Sequence, residues 1–200
     1  MKIIELFENA RADLYHGTLL DKAENIISAD IMKAQMPVRS TDIPQQVKGH
    51  TATVSFSRSK NAAIRYSWDT QGWPGAVPTL LIINQDRLKQ QVGNRLQPYD
   101  DVPTAAYNAS YTRWNNGNNV PKTHYRKDLE EVVFGDIKGI NRCITQIIIM
   151  PGGRDTKCNL SISRSPLLKD NRTVIQYDGK IYSPQEYLDF IASPDYVSSN

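Results

Sequence analysis

The sequence predicts a mixed α+β fold, and three observations carry that expectation. Runs of apolar and β-branched residues, Val77–Asn84 and Ile144–Met150, have the length of strands rather than helices. Asp21–Ile27 and Lys60–Trp68 place apolar residues near helical spacing, the second behind Ser59 as a capping residue. Asp178-Gly179 lies between Val174–Tyr177 and Lys180–Tyr182, a strong hairpin-turn signal. At 200 residues, with 40% hydrophobic and 22% charged residues, the chain is long enough to bury one sizeable core.

Taken in order, Met1–Glu8 breaks its apolar residues with acids. It reads as a short amphipathic helix presenting Ile3, Ile4, Leu6 and Phe7, not as a secretory leader. Asp13–His16 is a short strand, and the following helix turns Leu20, Ala23, Ile26 and Ile27 to one face. Residues 33–52 carry Pro37, Pro44 and Gly49 and read as a loop. Thr51–Phe56 is β-branched and apolar, hence a strand leading through Ser59 into the helix Lys60–Trp68. Gln71–Gly75 closes that unit as a turn, and a short helix around Asp86–Gln91 follows the buried strand Val77–Asn84.

Residues 98–123 are polar and rich in Tyr, Asn and Gly, an irregular segment of the kind that is either functional or disordered. Two strands, Glu131–Phe134 and Ile144–Met150, then flank a polar turn at Lys138–Asn141. After the hairpin, Ser183-Pro184-Gln185-Glu186 supplies Ser at the N-cap, Pro at N1 and Glu at N3 of a final helix. The expected organisation is a main domain over residues 1–157 and a hairpin-plus-helix extension, 158–200, packed on it.

The net charge of +3 is too small to argue for nucleic acid by itself. Cys143 and Cys158 have no metal-ligand spacing and make no disulfide framework. The longest apolar run, Ile147–Met150, is far short of a membrane span. These features lead to the expectation of a cytoplasmic protein without a metal. A Ser or Cys nucleophile finds no support, since no Gly-x-Ser-x-Gly elbow exists and His50 and His124 sit in no recognisable motif.

Three islands carry chemistry: Leu14-Tyr15-His16-Gly17-Thr18, then Thr53-Val54-Ser55-Phe56-Ser57 leading to Tyr66, then Glu130-Glu131-Val132-Val133-Phe134. Together they resemble the NAD-binding core of ADP-ribosyltransferases, in the His-Tyr-Glu branch that includes diphtheria-type toxins and poly(ADP-ribose) polymerases. The resemblance spans about Leu14 to Met150 and is motif-deep. It implies two packed, twisted β-sheets with flanking helices around an NAD cleft. Val54–Arg58, Asp86-Arg87-Leu88 and Gly135-Asp136-Ile137 also resemble small uncharacterised proteins of tailed phages, which implies action in a host cytoplasm.

The chemistry implied is cleavage of the nicotinamide–ribose bond through an oxocarbenium-like sugar cation. Such a reaction needs a grip on the carboxamide, a flat surface against the ring, and a carboxylate beside the ribose. By resemblance, Gly17 holds the carboxamide through its backbone, His16 bonds the adenosine-side ribose, and Thr18 supports the turn. Tyr66 stacks on the nicotinamide, with Ser55, Phe56 and Ser57 lining the cofactor site. Ala63 stands where the polymerases tend to have a carboxamide-binding serine, leaving Ser55 or Ser57 for that contact. The Ser-Phe-Ser strand is also similar to the Ser-Thr-Ser strand of the arginine-type branch.

Glu131 is the expected catalytic carboxylate, with Glu130 the alternative, since strand alternation allows only one into the site. Leu129 precedes Glu131 by two positions, which argues against an arginine acceptor; with Glu130 in that role Asp128 takes the position. His124, Tyr125 and Arg126 fall where the family carries its target-recognition loop. The implied activity is single transfer of ADP-ribose to a protein or nucleic acid. Alternatives are an NAD-dependent RNA 2′-phosphotransferase of the same fold and an inactive phage interaction protein.

Overall fold

The structure is a computed structural model that describes residues 13–35, 52–69, 76–98, 130–152, 156–194 and 196. The expected N-terminal helix, the loop after residue 35, the 98–123 segment from residue 99 on, and His124, Tyr125 and Arg126 lie outside the described residues.

The chain adopts the expected α+β class. Strands β1 (Asp13–Leu19), β2 (Ile31–Met32), β3 (Thr53–Ser57), β4 (Pro78–Asn84) and β5 (Leu96–Pro98) belong to the first half. The second half adds β6 (Glu130–Phe134), β7 (Ile137–Lys138), β8 (Ile144–Ile149), β9 (Thr173–Tyr177) and β10 (Lys180–Tyr182). The helices are α1 (Leu20–Ala29), α2 (Lys60–Asp69), α3 (Gln85–Val92), α4 (Thr156–Ser163) and α5 (Pro184–Ala192). Eight strands form a sheet ordered β10-β9-β8-β4-β1-β3-β6-β5, and β2 pairs with β7 in a small second sheet.

The large sheet has a seam. β1 pairs with β4 along its whole length, from Asp13↔Asn84 to Leu19↔Pro78, whereas it meets β3 only at Tyr15↔Ser57. In that antiparallel register Gly17 faces Ser55 and Leu19 faces Thr53, yet neither pair forms. Thr53 instead exchanges backbone bonds with Gln35, 3.0 and 3.2 Å. The two halves of the sheet, β10-β9-β8-β4-β1 and β3-β6-β5, are thus joined at one point and part beyond it. Where two packed sheets were expected, the strands form one large sheet with this weak join, beside the two-stranded β2–β7 sheet.

Burial follows strand alternation. Leu14 on β1, Leu81 and Ile83 on β4, Val54 and Phe56 on β3, and Val133 on β6 share one core with α1 and α3. On the opposite face, Tyr15, Leu80, Ile82, Ile148 and Met150 pack with Ala63 and Ile64 of α2. The C-terminal hairpin continues the sheet, because β9 lies parallel to β8 from Ile147↔Thr173 to Ile149↔Ile175. Its turn has Asp178 at φ 48° and Gly179 at φ 73°, the pair of positive angles that a two-residue turn needs.

Ser183 caps α5 reciprocally with Glu186, as the sequence predicts. The helix buries Tyr187 completely, and the Tyr187 hydroxyl donates to Asn159 Oδ1 on α4 at 2.9 Å. The expected hairpin and cap are therefore built into the main core. No helix among the described residues is long and apolar enough to cross a membrane.

Candidate active site

Where β1 and β3 separate, the backbone register sets residues in rows across the seam. Tyr15 faces Ser57, and Ser57 faces Glu130; one residue along, His16, Phe56 and Glu131 follow as the next row. Phe56 and Glu131 are direct cross-strand partners, so their side chains share a face. His16 falls on that same face by alternation with Leu14, and its ring lies 5.8 Å from that of Phe56. Two strand spacings put β1 and β6 about 10 Å apart.

His16 reaches across the seam. Its Nδ1 lies 2.9 Å from the carbonyl oxygen of Ser55. A carbonyl can only accept, so Nδ1 carries the proton and donates, leaving Nε2 as an acceptor in the neutral ring. Burial holds the His16 pKa below its ordinary value; the bond to Ser55 opposes that and the charge of Lys22 adds to it. At neutral pH the ring is uncharged, with Nε2 able to accept.

Glu131 is only 2% exposed. Burying a carboxylate without partners is expensive, and this one has two. Arg58, the first residue after β3, donates to Oε1 from Nε at 2.6 Å and from Nη2. Gln85, the first residue of α3, places Nε2 2.8 Å from Oε1 and 2.9 Å from Oε2. The guanidinium is a third exposed, so the ion pair sits at the boundary of the core. On its other side Glu131 pairs with Pro98 of β5, an edge strand where a missing N–H is tolerated.

The other expected residues fall into two groups. Phe56 is 2% exposed and packs within the core beside His16, so it shapes that ring's position. Thr18 is buried opposite Thr79. Ser55 is exposed, while Ser57 is buried and its hydroxyl accepts from Ser59 N at 2.9 Å, holding the turn into α2. Gly17 and Tyr66 belong with the opposite face of β1. A Cβ on Gly17 would lie 2.9 Å from the carbonyl carbon of Ala63 and 3.2 Å from Ser67 N, so α2 crosses directly over that glycine. Tyr66, beside Ser67 in α2, is 55% exposed. The structure thus unites His16, Phe56 and Glu131 on one face and puts Gly17 under the helix that carries Tyr66; the parted strands lie between.

Sequence reasoning missed the partners of Glu131. Arg58 was in view as the residue after the Ser-Phe-Ser strand, and Gln85 as the polar residue ending an apolar strand. Their convergence is a long-range fact, 73 and 46 residues away in the chain. Among the described residues no group of three or more His, Cys, Asp or Glu gathers.

The class so defined is an α+β chain with a split sheet and a neutral histidine and a clamped carboxylate in one row. No protein-family model matches the chain, and no curated protein sequence matches it. In three dimensions it is similar to DarT of Thermus sp. 2.9, solved in complex with carba-NAD+, with 17% identity and a TM-score of 0.40. That match covers 71% of this chain and 84% of the other. A likeness of that depth leaves activity to be argued from the residues themselves.

Proposed function

We propose that this chain is an NAD-dependent ADP-ribosyltransferase that moves one ADP-ribose from NAD to a macromolecular acceptor and releases nicotinamide. The observation that carries the reading is the His16–Phe56–Glu131 row across the parted strands β1 and β3. On this reading the ligand lies along the seam between β1 and β3. His16 Nε2 accepts a ribose hydroxyl, and Tyr66 lies against the nicotinamide ring from the α2 side. Offset aromatic stacking of that kind contributes about 0.5–1.5 kcal/mol.

Glu131 does the electrostatic work. The bond between ribose C1′ and the nicotinamide nitrogen breaks with its electron pair going to nicotinamide. The carboxylate, bonded to the 2′-hydroxyl, stabilises the positive charge left on the ribose. A nucleophilic oxygen or nitrogen of the acceptor then bonds to C1′ and releases its proton to Glu131. His124, Tyr125 and Arg126 are assigned to acceptor recognition on the sequence resemblance alone.

The test is transfer of label from adenine-labelled NAD to cell extract, followed by separate protease, DNase and RNase treatment. Label on macromolecules that depends on Glu131 supports the reading, and the treatment that removes it names the acceptor class. A second reading, an inactive interaction protein, is favoured by one observation: Glu131 is nearly fully buried and already bonded by Arg58 and Gln85. On that reading the trio is a structural ion pair, and no preparation of the protein consumes NAD.

A further inference from the structure

We infer that Gln85 is a positioning residue for Glu131, committing Oε1 to the protein and presenting Oε2 to substrate. This rests on the transferase reading above. An ionised carboxylate offers about four lone-pair sites, two on each oxygen. Oε1 receives Arg58 Nε, Arg58 Nη2 and Gln85 Nε2, and is saturated. Among the described residues Oε2 receives Gln85 Nε2 alone, at 2.9 Å, which leaves one of its lone-pair sites for a further donor. A ribose hydroxyl, or the proton of an attacking acceptor, is therefore taken at Oε2.

Gln85 is suited to the task because it is itself fixed. It is 6% exposed and stands at the junction of β4 and α3. Asn84 immediately before it caps the helix by accepting from Arg87 N at 2.9 Å, and its own N–H donates to Cys143 O at 2.8 Å. The amide thus approaches Glu131 from a backbone held on both sides. Arg58, by contrast, is a third exposed and reaches from a turn. A free-energy gain from pre-orientation belongs to the more rigid partner.

Gln85→Met removes the donor at similar volume, and Gln85→Glu keeps the shape and adds a competing carboxylate. Arg58 is the ionisable group bonded to Glu131 among the described residues; His16 stands on the same face in β1, and β5 offers Pro98. Losing the Gln85 N–H frees the Glu131 carboxylate to turn about Arg58 alone. Gln85→Glu goes further, because a second carboxylate about 3 Å away repels Glu131 from its position.

Steady-state NAD turnover is measured at neutral pH for the wild type and both variants, with urea unfolding alongside. The expected result is a kcat lower by about 10²-fold in Gln85→Met at little-changed NAD KM, with Gln85→Glu at least as slow and both variants folded. A raised KM at unchanged kcat, or a loss of kcat matched by a loss of folded protein, overturns the assignment. A wild type that consumes no NAD removes the transferase reading and this one with it. An active wild type with normal Gln85 variants removes the positioning role alone.

Discussion

Gly17→Ala is the sharpest perturbation of the seam, and its cost follows from the geometry. The added Cβ meets backbone: it would stand 2.9 Å from the Ala63 carbonyl carbon and closer still to that carbonyl's oxygen. Carbon atoms pack best at about 3.5–4.0 Å, so α2 must retreat by about 0.6 Å or more. The helix is not free to do so, since Ala63 is buried against Leu80, Ile82, Ile148 and Met150. Overpacking against backbone this close lies at the top of the usual range, about 3 kcal/mol. The reduced freedom of the unfolded chain returns about 0.4–1 kcal/mol, leaving a net loss near 2 kcal/mol. For a chain of this length that lowers Tm by roughly 4–8 °C. Urea unfolding of the variant measures it, and NAD turnover measured alongside should fall because Tyr66 moves with α2. A variant within about 0.5 kcal/mol of wild type would refute the close crossing of α2 over β1.

Two further predictions concern stability. Tyr187→Phe removes the donor to Asn159 Oδ1 in a buried contact and should cost about 1–3 kcal/mol, read by urea unfolding. His16 has a folded pKa below its ordinary value, so the unfolded chain binds the proton first as pH falls. Its contribution is complete above the ordinary histidine pKa and is lost as pH drops towards the folded value. Stability measured at about pH 7.5 and about pH 5.5 should decline for the wild type more than for His16→Asn; equal declines would contradict the half-buried, neutral ring.

Most of the local structure was legible because it depends on neighbouring residues. The Asp178-Gly179 turn, the Ser183–Glu186 capping box, and the strands β3, β4 and β8 all follow from residue type and spacing within one short segment. Helix α4 was not foreseen: Thr-Lys-Cys-Asn-Leu-Ser-Ile-Ser is poor in strong helix formers. Burial of Cys158, Asn159 and Ile162 against the rest of the chain supplies what propensity lacks. β5 went unseen because it is three residues long and ends in Pro.

The site divides in the same way. His16 and Glu131 could be picked out as residue types at strand positions. The clamp on Glu131 could not, since Arg58 and Gln85 arrive from separate elements. Gly17 was expected to make room for a ligand, and its Cβ direction is filled by the backbone of α2. The close approach that the sequence assigned to a ligand is, on this side of Gly17, made by α2.

The measurement that tests the central proposal most directly is nicotinamide release from NAD by the purified wild type and by Glu131→Gln. The amide keeps the shape and one hydrogen-bonding oxygen while removing the charge, so the fold is retained better than with alanine. The wild type is expected to release nicotinamide, and the variant to do so about 10²–10⁴-fold more slowly. Equal rates in the two proteins, or none in either, would contradict the proposal.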